Sequence, residues 1–210
     1  MNQKKKIAII DYGVGNIASV CNALNYLSAS YNVISNPSEV TKYDSLILPG
    51  VGSFSYAIKN LRESGLFDAI SDHVLIRNKN ILGICLGFQL LASSSTEEGY
   101  SKGFNFIPQK VDLISNNENI KIRLPHIGFN SVEIESEGIL YNGLPNPVEF
   151  YFVHSYCMSH ENLSLKDCAI TRYGKLFLAS YQNNNIFGTQ FHPEKSQTNG
   201  LKLLKNFIEC

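Results

Sequence analysis

Three times in its first half, the chain runs a short apolar stretch into a glycine-marked turn and then into residues with helical spacing. Lys6 to Asp11 reads as a buried strand, and beyond Gly13 and Gly15 the stretch Asn16 to Ser28 sets Ile17, Val20, Leu24 and Leu27 on one helical face. Asp44 to Leu48 is the second such strand, ended by Pro49-Gly50, with a helical pattern after Gly52. Asn80 to Ile84 is the third, followed by Cys85 and a helix from Leu86. Strands that alternate with helices pair in parallel and carry the helices on their faces. The expectation is therefore an α/β fold of three layers, with a mostly parallel central sheet, flanking helices, and sites gathered at the carboxyl ends of the strands. Those ends hold Gly13, Gly50 and Cys85.

From about Phe104 the pattern changes to short apolar or alternating runs, at Val132 to Ile134, Val148 to Val153, Leu176 to Tyr181 and Ile186 to Phe191, so the second half should be richer in strands. Leu201, Leu204, Phe207 and Ile208 suit a closing helix over the sheet, while Asn116 to Asn119 and Asn183 to Asn185 read as polar turns. No internal repeat or Pro/Ser-rich linker divides the chain. Its 210 residues suffice for one core, so residues 1–210 are expected to form a single domain.

Charge narrows the choice of partners. Lys and Arg number 18, as do Asp and Glu, so no overall field draws a nucleic acid or an anionic membrane. The basic run Lys4-Lys5-Lys6 is followed by four apolar residues before Asp11, too few for a secretory core or a membrane span, and a cytoplasmic location is expected. The five cysteines are an odd number without a CxxC pair, which suits reduced thiols. No metal-ligand spacing links the histidines, so neither metal nor cofactor is expected.

One cysteine has a distinctive setting. Gly83-Ile84-Cys85-Leu86-Gly87-Phe88-Gln89 places it where a buried strand turns sharply into a helix, the geometry of a nucleophile elbow. Free N–H groups at the helix start favour thiolate over thiol. Cys21, Cys157, Cys168 and Cys210 read instead as inert fillers. A thiol nucleophile needs an imidazole to move its proton and a carboxylate to fix the imidazole tautomer. His192 and Glu194, in Gly188-Thr189-Gln190-Phe191-His192-Pro193-Glu194-Lys195, fit those roles, although His-Pro-Glu alone also reads as a capping turn. In Pro49-Gly50-Val51-Gly52, small residues let a backbone N–H approach a developing oxyanion, with the Leu86 N–H as second donor. The other reading of that turn is a phosphate cradle, but no Walker lysine pattern follows.

Taken together in this order, these segments resemble the class I (triad) glutamine amidotransferases. Asp11-Tyr12-Gly13-Val14-Gly15-Asn16, Pro125-His126-Ile127-Gly128-Phe129-Asn130 and Tyr151-Phe152-Val153-His154-Ser155-Tyr156 bring the resemblance, over nearly the whole chain, to the branch of glutaminase subunits of imidazole glycerol phosphate synthases. The resemblance implies Cys85 as nucleophile, His192 as general base and acid, and Glu194 as its orienting partner. It implies an oxyanion hole at Val51, Gly52 and Leu86, and substrate binding by Gln89, Gly50 and the Ser155-Tyr156 backbone. Lys195 and Tyr151 would lie toward the ammonia exit and the partner. That partner would be a (β/α)8-barrel cyclase in a heterodimer, making imidazole glycerol phosphate and an aminoimidazole ribonucleotide in histidine biosynthesis.

The pattern departs from this branch at Phe129, at Gly103-Phe104-Asn105 and at Cys157, none within the triad. Paralogues that supply ammonia for cell-surface sugar modification share the same resemblance. A same-fold cysteine hydrolase should lack the His-Pro-Glu and glutamine-holding segments, and a non-catalytic scaffold would have no use for a complete triad.

Overall fold

The structure is a computed structural model, and it describes residues 5–114, 122–135, 138–164 and 168–210. Lys4 and the polar stretch Asn116 to Asn119 lie outside the described residues. Strand β1 (Ile7–Ile10) is buried throughout, with Ile7 and Ile9 facing one side of the sheet and Ala8 and Ile10 the other. A strand covered on both faces has no polar positions to alternate, hence the unbroken apolar run. Helix α1 (Ile17–Tyr26) covers the first face through Val20, Ala23 and Leu24. Strands β2 (Tyr31–Ile34) and β3 (Ser45–Leu48) flank β1 in parallel. Helices α2 (Phe54–Glu63) and α3 (Leu66–Ser71) cover the opposite face through Ala57, Ile58, Leu61, Leu66 and Ile70.

Strand β4 (Asn80–Ile84) pairs in parallel with β3. Helix α4, expected to run on from Leu86, spans only Leu86–Leu90. Ala92–Ser95 is already a strand, β5, because the Leu90 and Leu91 carbonyls accept N–H groups from Phe104, Phe106 and Ile107 instead of continuing the helix. The serine run Ser93-Ser94-Ser95 helps, since Ser competes poorly for a helix interior. The strand-rich half thus begins about a dozen residues earlier than its sequence texture suggests.

The remaining elements are β6 (Ser101–Lys102), β7 (Ile107–Leu113), β8 (His126–Ile134), β9 (Val148–His154), β10 (Tyr156–Met158), β11 (Cys168–Tyr173), β12 (Lys175–Asn183), β13 (Ile186–Thr189) and helix α5 (Gln197–Glu209). Among the described residues the large sheet has the order β2-β1-β3-β4-β13-β12-β11-β8-β9, and a smaller one runs β10-β7-β5-β6. From β2 to β13 the pairing is parallel; beyond β13 it is antiparallel. Helix α5 closes the α1 face with Leu203, Leu204 and Phe207, as its spacing implied. Two features of this topology position the site. Strand β13 lies beside β4 with Thr189 opposite Ile84, and the chain crosses from the large sheet to the small one at Ser155.

Candidate active site

Cys85 closes β4 in the conformation φ 54°, ψ −106°. A non-glycine residue holds such a backbone only where its surroundings over-determine it. Here the Cys85 N–H donates to Thr189 O at 2.8 Å, and Cys85 O accepts from the Gln89 N–H at 3.1 Å. Close packing tightens the elbow further: a Cβ on Gly87 would sit 1.7 Å from Leu48 O. The thiol is 6% exposed, lies 3.9 Å from Val153 O and accepts from Gln190 Nε2 at 3.8 Å. Because α4 has only five residues, what acts on the sulfur is a few unpaired first-turn N–H groups rather than a long macrodipole.

His192 and Glu194 are brought together by one short turn that starts at Pro193. Glu194 Oε1 accepts from His192 Nδ1 at 2.7 Å, and both side chains are 2% exposed. Ser196 staples this turn to the sheet. Its hydroxyl donates to His192 O at 2.6 Å and accepts from the Tyr151 N–H at 2.9 Å, while the His192 N–H donates to Tyr151 O at 2.8 Å. Nδ1 engaged with a carboxylate leaves Nε2 for chemistry. That atom is buried without a partner of full hydrogen-bond geometry. Burial pulls the His192 pKa down, but the Cys85 sulfur and the Glu194 carboxylate outweigh it and raise it to about 10. A raised value favours the protonated ring. Replacing Glu194 with Gln removes one of the raising partners, so the pKa should fall. Nitrogen-15 NMR of the ring should show deprotonation at lower pH than in wild type, and an unmoved titration would contradict the assigned pairing.

A cleft of about 340 Å³ opens beside the thiol, lined by Val51, Gly52, Cys85, Leu86, Gln89, Glu97, Pro125, Val153, His154, Ser155 and Tyr156. That is at the small end of the roughly 300–1,000 Å³ typical of small-molecule sites. The structure thus brings Val51, Gly52, Leu86, Gln89, Ser155 and Tyr156 around Cys85. Gly50 lies beneath rather than on the wall: a Cβ there would come within 2.5 Å of the Tyr12 hydroxyl and 2.9 Å of Leu86 Cβ. Gly52 has φ +106° and Val51 is 40% exposed, so the turn has a packed root and an open tip. Lys195 is exposed on the turn after His192, and Tyr151 meets Phe129 edge-on at 5.6 Å. Neither lines the cleft.

Several residues of the site carried no role in the sequence. The buried Tyr12 hydroxyl donates to Pro49 O at 2.7 Å and so anchors the glycine turn. Gln190 reaches the sulfur; it lies within the Gly188–Lys195 segment, which was the available signal. Glu97 accepts from the Phe54 N–H at 2.8 Å, and its carboxyl pKa is raised, chiefly by burial and further by Glu98. Nothing in the local sequence around Glu97 marks it. Among the described residues, no three His, Cys, Asp or Glu side chains are grouped as a metal site requires.

Known proteins share both the sequence and the fold. The family model described as "Glutamine amidotransferase class-I" matches residues 8–210. A relative from Campylobacter jejuni (strain RM1221), named imidazole glycerol phosphate synthase subunit HisH 1, is 45% identical over 96% of this chain and 98% of its own. Imidazole glycerol phosphate synthase subunit HisH of Moorella thermoacetica is 44% identical over 98% of this chain and 95% of its own. A solved glutamine amidotransferase superposes with TM-score 0.73 at 19% identity, covering 97% of each chain. A chain of PurLQS from Thermotoga maritima superposes with TM-score 0.70 at 18% identity, covering 99% of each. At such identities the structures speak for the fold alone.

Proposed function

The chain belongs to the class-I glutamine amidotransferases, and from that premise we propose that it is the glutaminase subunit of an imidazole glycerol phosphate synthase, serving histidine biosynthesis. The observation that carries the chemistry is His192, bonded through Nδ1 to Glu194 and with a spare Nε2, its pKa raised by the neighbouring Cys85 sulfur and Glu194 carboxylate. The Cys85 thiolate attacks the side-chain amide carbon of glutamine, and the resulting oxyanion is received by N–H groups of Leu86 and the Val51-Gly52 turn. His192 gives its proton to the departing nitrogen, which leaves as ammonia. The glutamyl thioester is then hydrolysed by water that passes a proton back to His192, and glutamate is released. Gln89 and the Ser155-Tyr156 backbone hold the substrate, with Gly50 supporting the wall.

Ammonia is nucleophilic only as the free base, so it needs a sheltered path to an acceptor enzyme. The relatives are named as synthase subunits, which supports a partner; we assign it as a (β/α)8-barrel cyclase in a heterodimer. Lys195, Tyr151 and the exposed Phe129 mark the face toward it. The relatives' names favour this role over ammonia supply for surface sugars. The two core clusters share the large sheet and take in residues of the small one, such as Ala92, Val111 and Met158, which supports reading residues 1–210 as one domain. No described helix is long and apolar enough to cross a membrane, in keeping with the proposed cytoplasmic location.

Reconstitution tests the reading. The chain mixed with the cyclase should convert glutamine and the nucleotide substrate to product, and alone it should hydrolyse glutamine roughly a hundredfold more slowly, the upper range of ordinary coupling between sites. Equal turnover with and without the cyclase would contradict partner control, and no glutamine-dependent product would sink the assignment.

A further inference from the structure

Two of the motifs that narrow the resemblance, Pro125–Asn130 and Tyr151–Tyr156, carry side chains with no chemical task in the glutaminase reaction, His126, Asn130 and His154, and these meet. His126 and His154 are directly paired across β8 and β9, and both are buried. His126 Nδ1 lies 3.1 Å from His154 Nε2, and His154 Nδ1 lies 2.8 Å from Tyr156 O. At the other end, Asn130 Nδ2 is 3.3 Å from His126 Nε2 and 3.0 Å from Arg172 O.

Two backbone carbonyls, which can only accept, fix every proton in this chain of contacts. Arg172 O requires the Asn130 amide nitrogen to face it, and Ser131 N–H donating to Asn130 Oδ1 at 2.8 Å agrees. Asn130 then donates to His126 Nε2, so His126 carries its proton on Nδ1. That proton goes to His154 Nε2, and the His154 proton on Nδ1 goes to Tyr156 O. From the same carbonyl the order continues inward. Gln89 Nε2 donates to Tyr156 O at 2.8 Å and to Gln190 Oε1 at 3.0 Å, which turns Gln190 Nε2 to the Cys85 sulfur. The remaining atom of the Gln89 amide, Oε1, is the acceptor it can offer a donor group in the cleft.

We propose that His126 and His154 are positioning residues: as two neutral imidazoles passing hydrogen bonds one way from Asn130, they fix the Tyr156 carbonyl, and through it the orientation of Gln89 toward the glutamine substrate. The proposal rests on the glutaminase reading. The fixed point lies where the chain leaves one sheet for the other at Ser155: the Ser155 carbonyl is held by the Ile114 N–H at 2.9 Å, while the Tyr156 carbonyl accepts side-chain donors, from His154 and Gln89. Phe152 and Tyr173 stack on the His126 ring at 4.9 and 4.1 Å and exclude water from it. Protonating either ring would set N–H against N–H. Burial keeps both neutral, lowering His126 to about 4 and His154 to about 3, the latter helped by nearby His126 and His192 against the Tyr156 carbonyl.

Nitrogen-15 NMR of the full chain at neutral pH should find both rings with the proton on Nδ1 and Nε2 bare; either ring protonated on Nε2 would overturn the relay. The functional test is Asn130→Asp, a same-size change at a half-buried residue that puts an acceptor where His126 Nε2 needs a donor. In the complex, KM for glutamine should rise roughly tenfold, the loss of one well-placed hydrogen bond, with kcat little changed. Ammonia-driven synthesis, which does not use Gln89, should be unmoved. His154→Phe should give the same KM shift, and the double variant no more than either alone. An unchanged KM, a fall confined to kcat, slower ammonia-driven synthesis or additive effects would each reject the proposal. If the wild-type complex does not hydrolyse glutamine, the glutaminase reading fails, while the ring tautomers still decide the relay.

Discussion

Replacing Cys85 with alanine should lower glutamine-dependent synthesis by the complex by on the order of 10⁴-fold or more, the usual consequence of deleting a nucleophile from a unit that acts together. The same complex supplied with ammonium salt at high pH should make product at its normal rate, because the acceptor chemistry belongs to the partner. Binding to the cyclase should also survive, since the thiol is buried behind the cleft rather than on the outer face. The paired outcome separates a catalytic from a scaffolding role. A variant that still used glutamine would show that Cys85 only fills space, and one that lost ammonia-driven synthesis too would point to a damaged fold. Cys157, whose thiol is pushed up to about 12, mainly by burial, is the inert comparison.

Gly87→Ala should be the most damaging single methyl group in the chain. Its Cβ would overlap Leu48 O at 1.7 Å and Leu48 C at 2.8 Å, and both belong to backbone that cannot turn aside. Relief requires α4 to lift from β3, which drags Leu86 and Cys85 with it. Overpacking at this severity costs about 3 kcal/mol or more, a large share of the roughly 5–15 kcal/mol that holds a domain folded. The melting temperature should fall by about 6–12 °C, with glutaminase activity lost in whatever protein remains folded. Calorimetry showing a midpoint within about 2 °C of wild type would mean that the elbow has slack the present packing does not allow.

How much could be read in advance differs from element to element. The parallel strands Ile7–Ile10, Ser45–Leu48 and Asn80–Ile84 and the closing helix Gln197–Glu209 were legible, because burial on both faces or on one stripe writes an unmistakable period. So were the elbow at Cys85 and the pairing of His192 with Glu194, which is settled within three residues by a proline-started turn. The end of α4 at Leu90 was not, because it is fixed by N–H groups from Phe104, Phe106 and Ile107, which lie more than a dozen residues on.

Local chemistry, then, is what this sequence determined: which residue could be a nucleophile, which a base, and where the first parallel strands and the closing helix lie. Their meeting was decided only by tertiary structure. Cys85 and His192 stand together because β13 inserts beside β4, and no periodicity in either segment encodes that neighbour. Tyr12, Gln190 and Glu97 reach the site on the same terms. His126 and His154 meet only in the folded chain, where Tyr156 O closes on His154 and Asn130, itself held by Arg172 O, closes on His126. Hydrogen-bond direction is a property of the partners a group is given, and partners distant in sequence are chosen by the packing of the sheet.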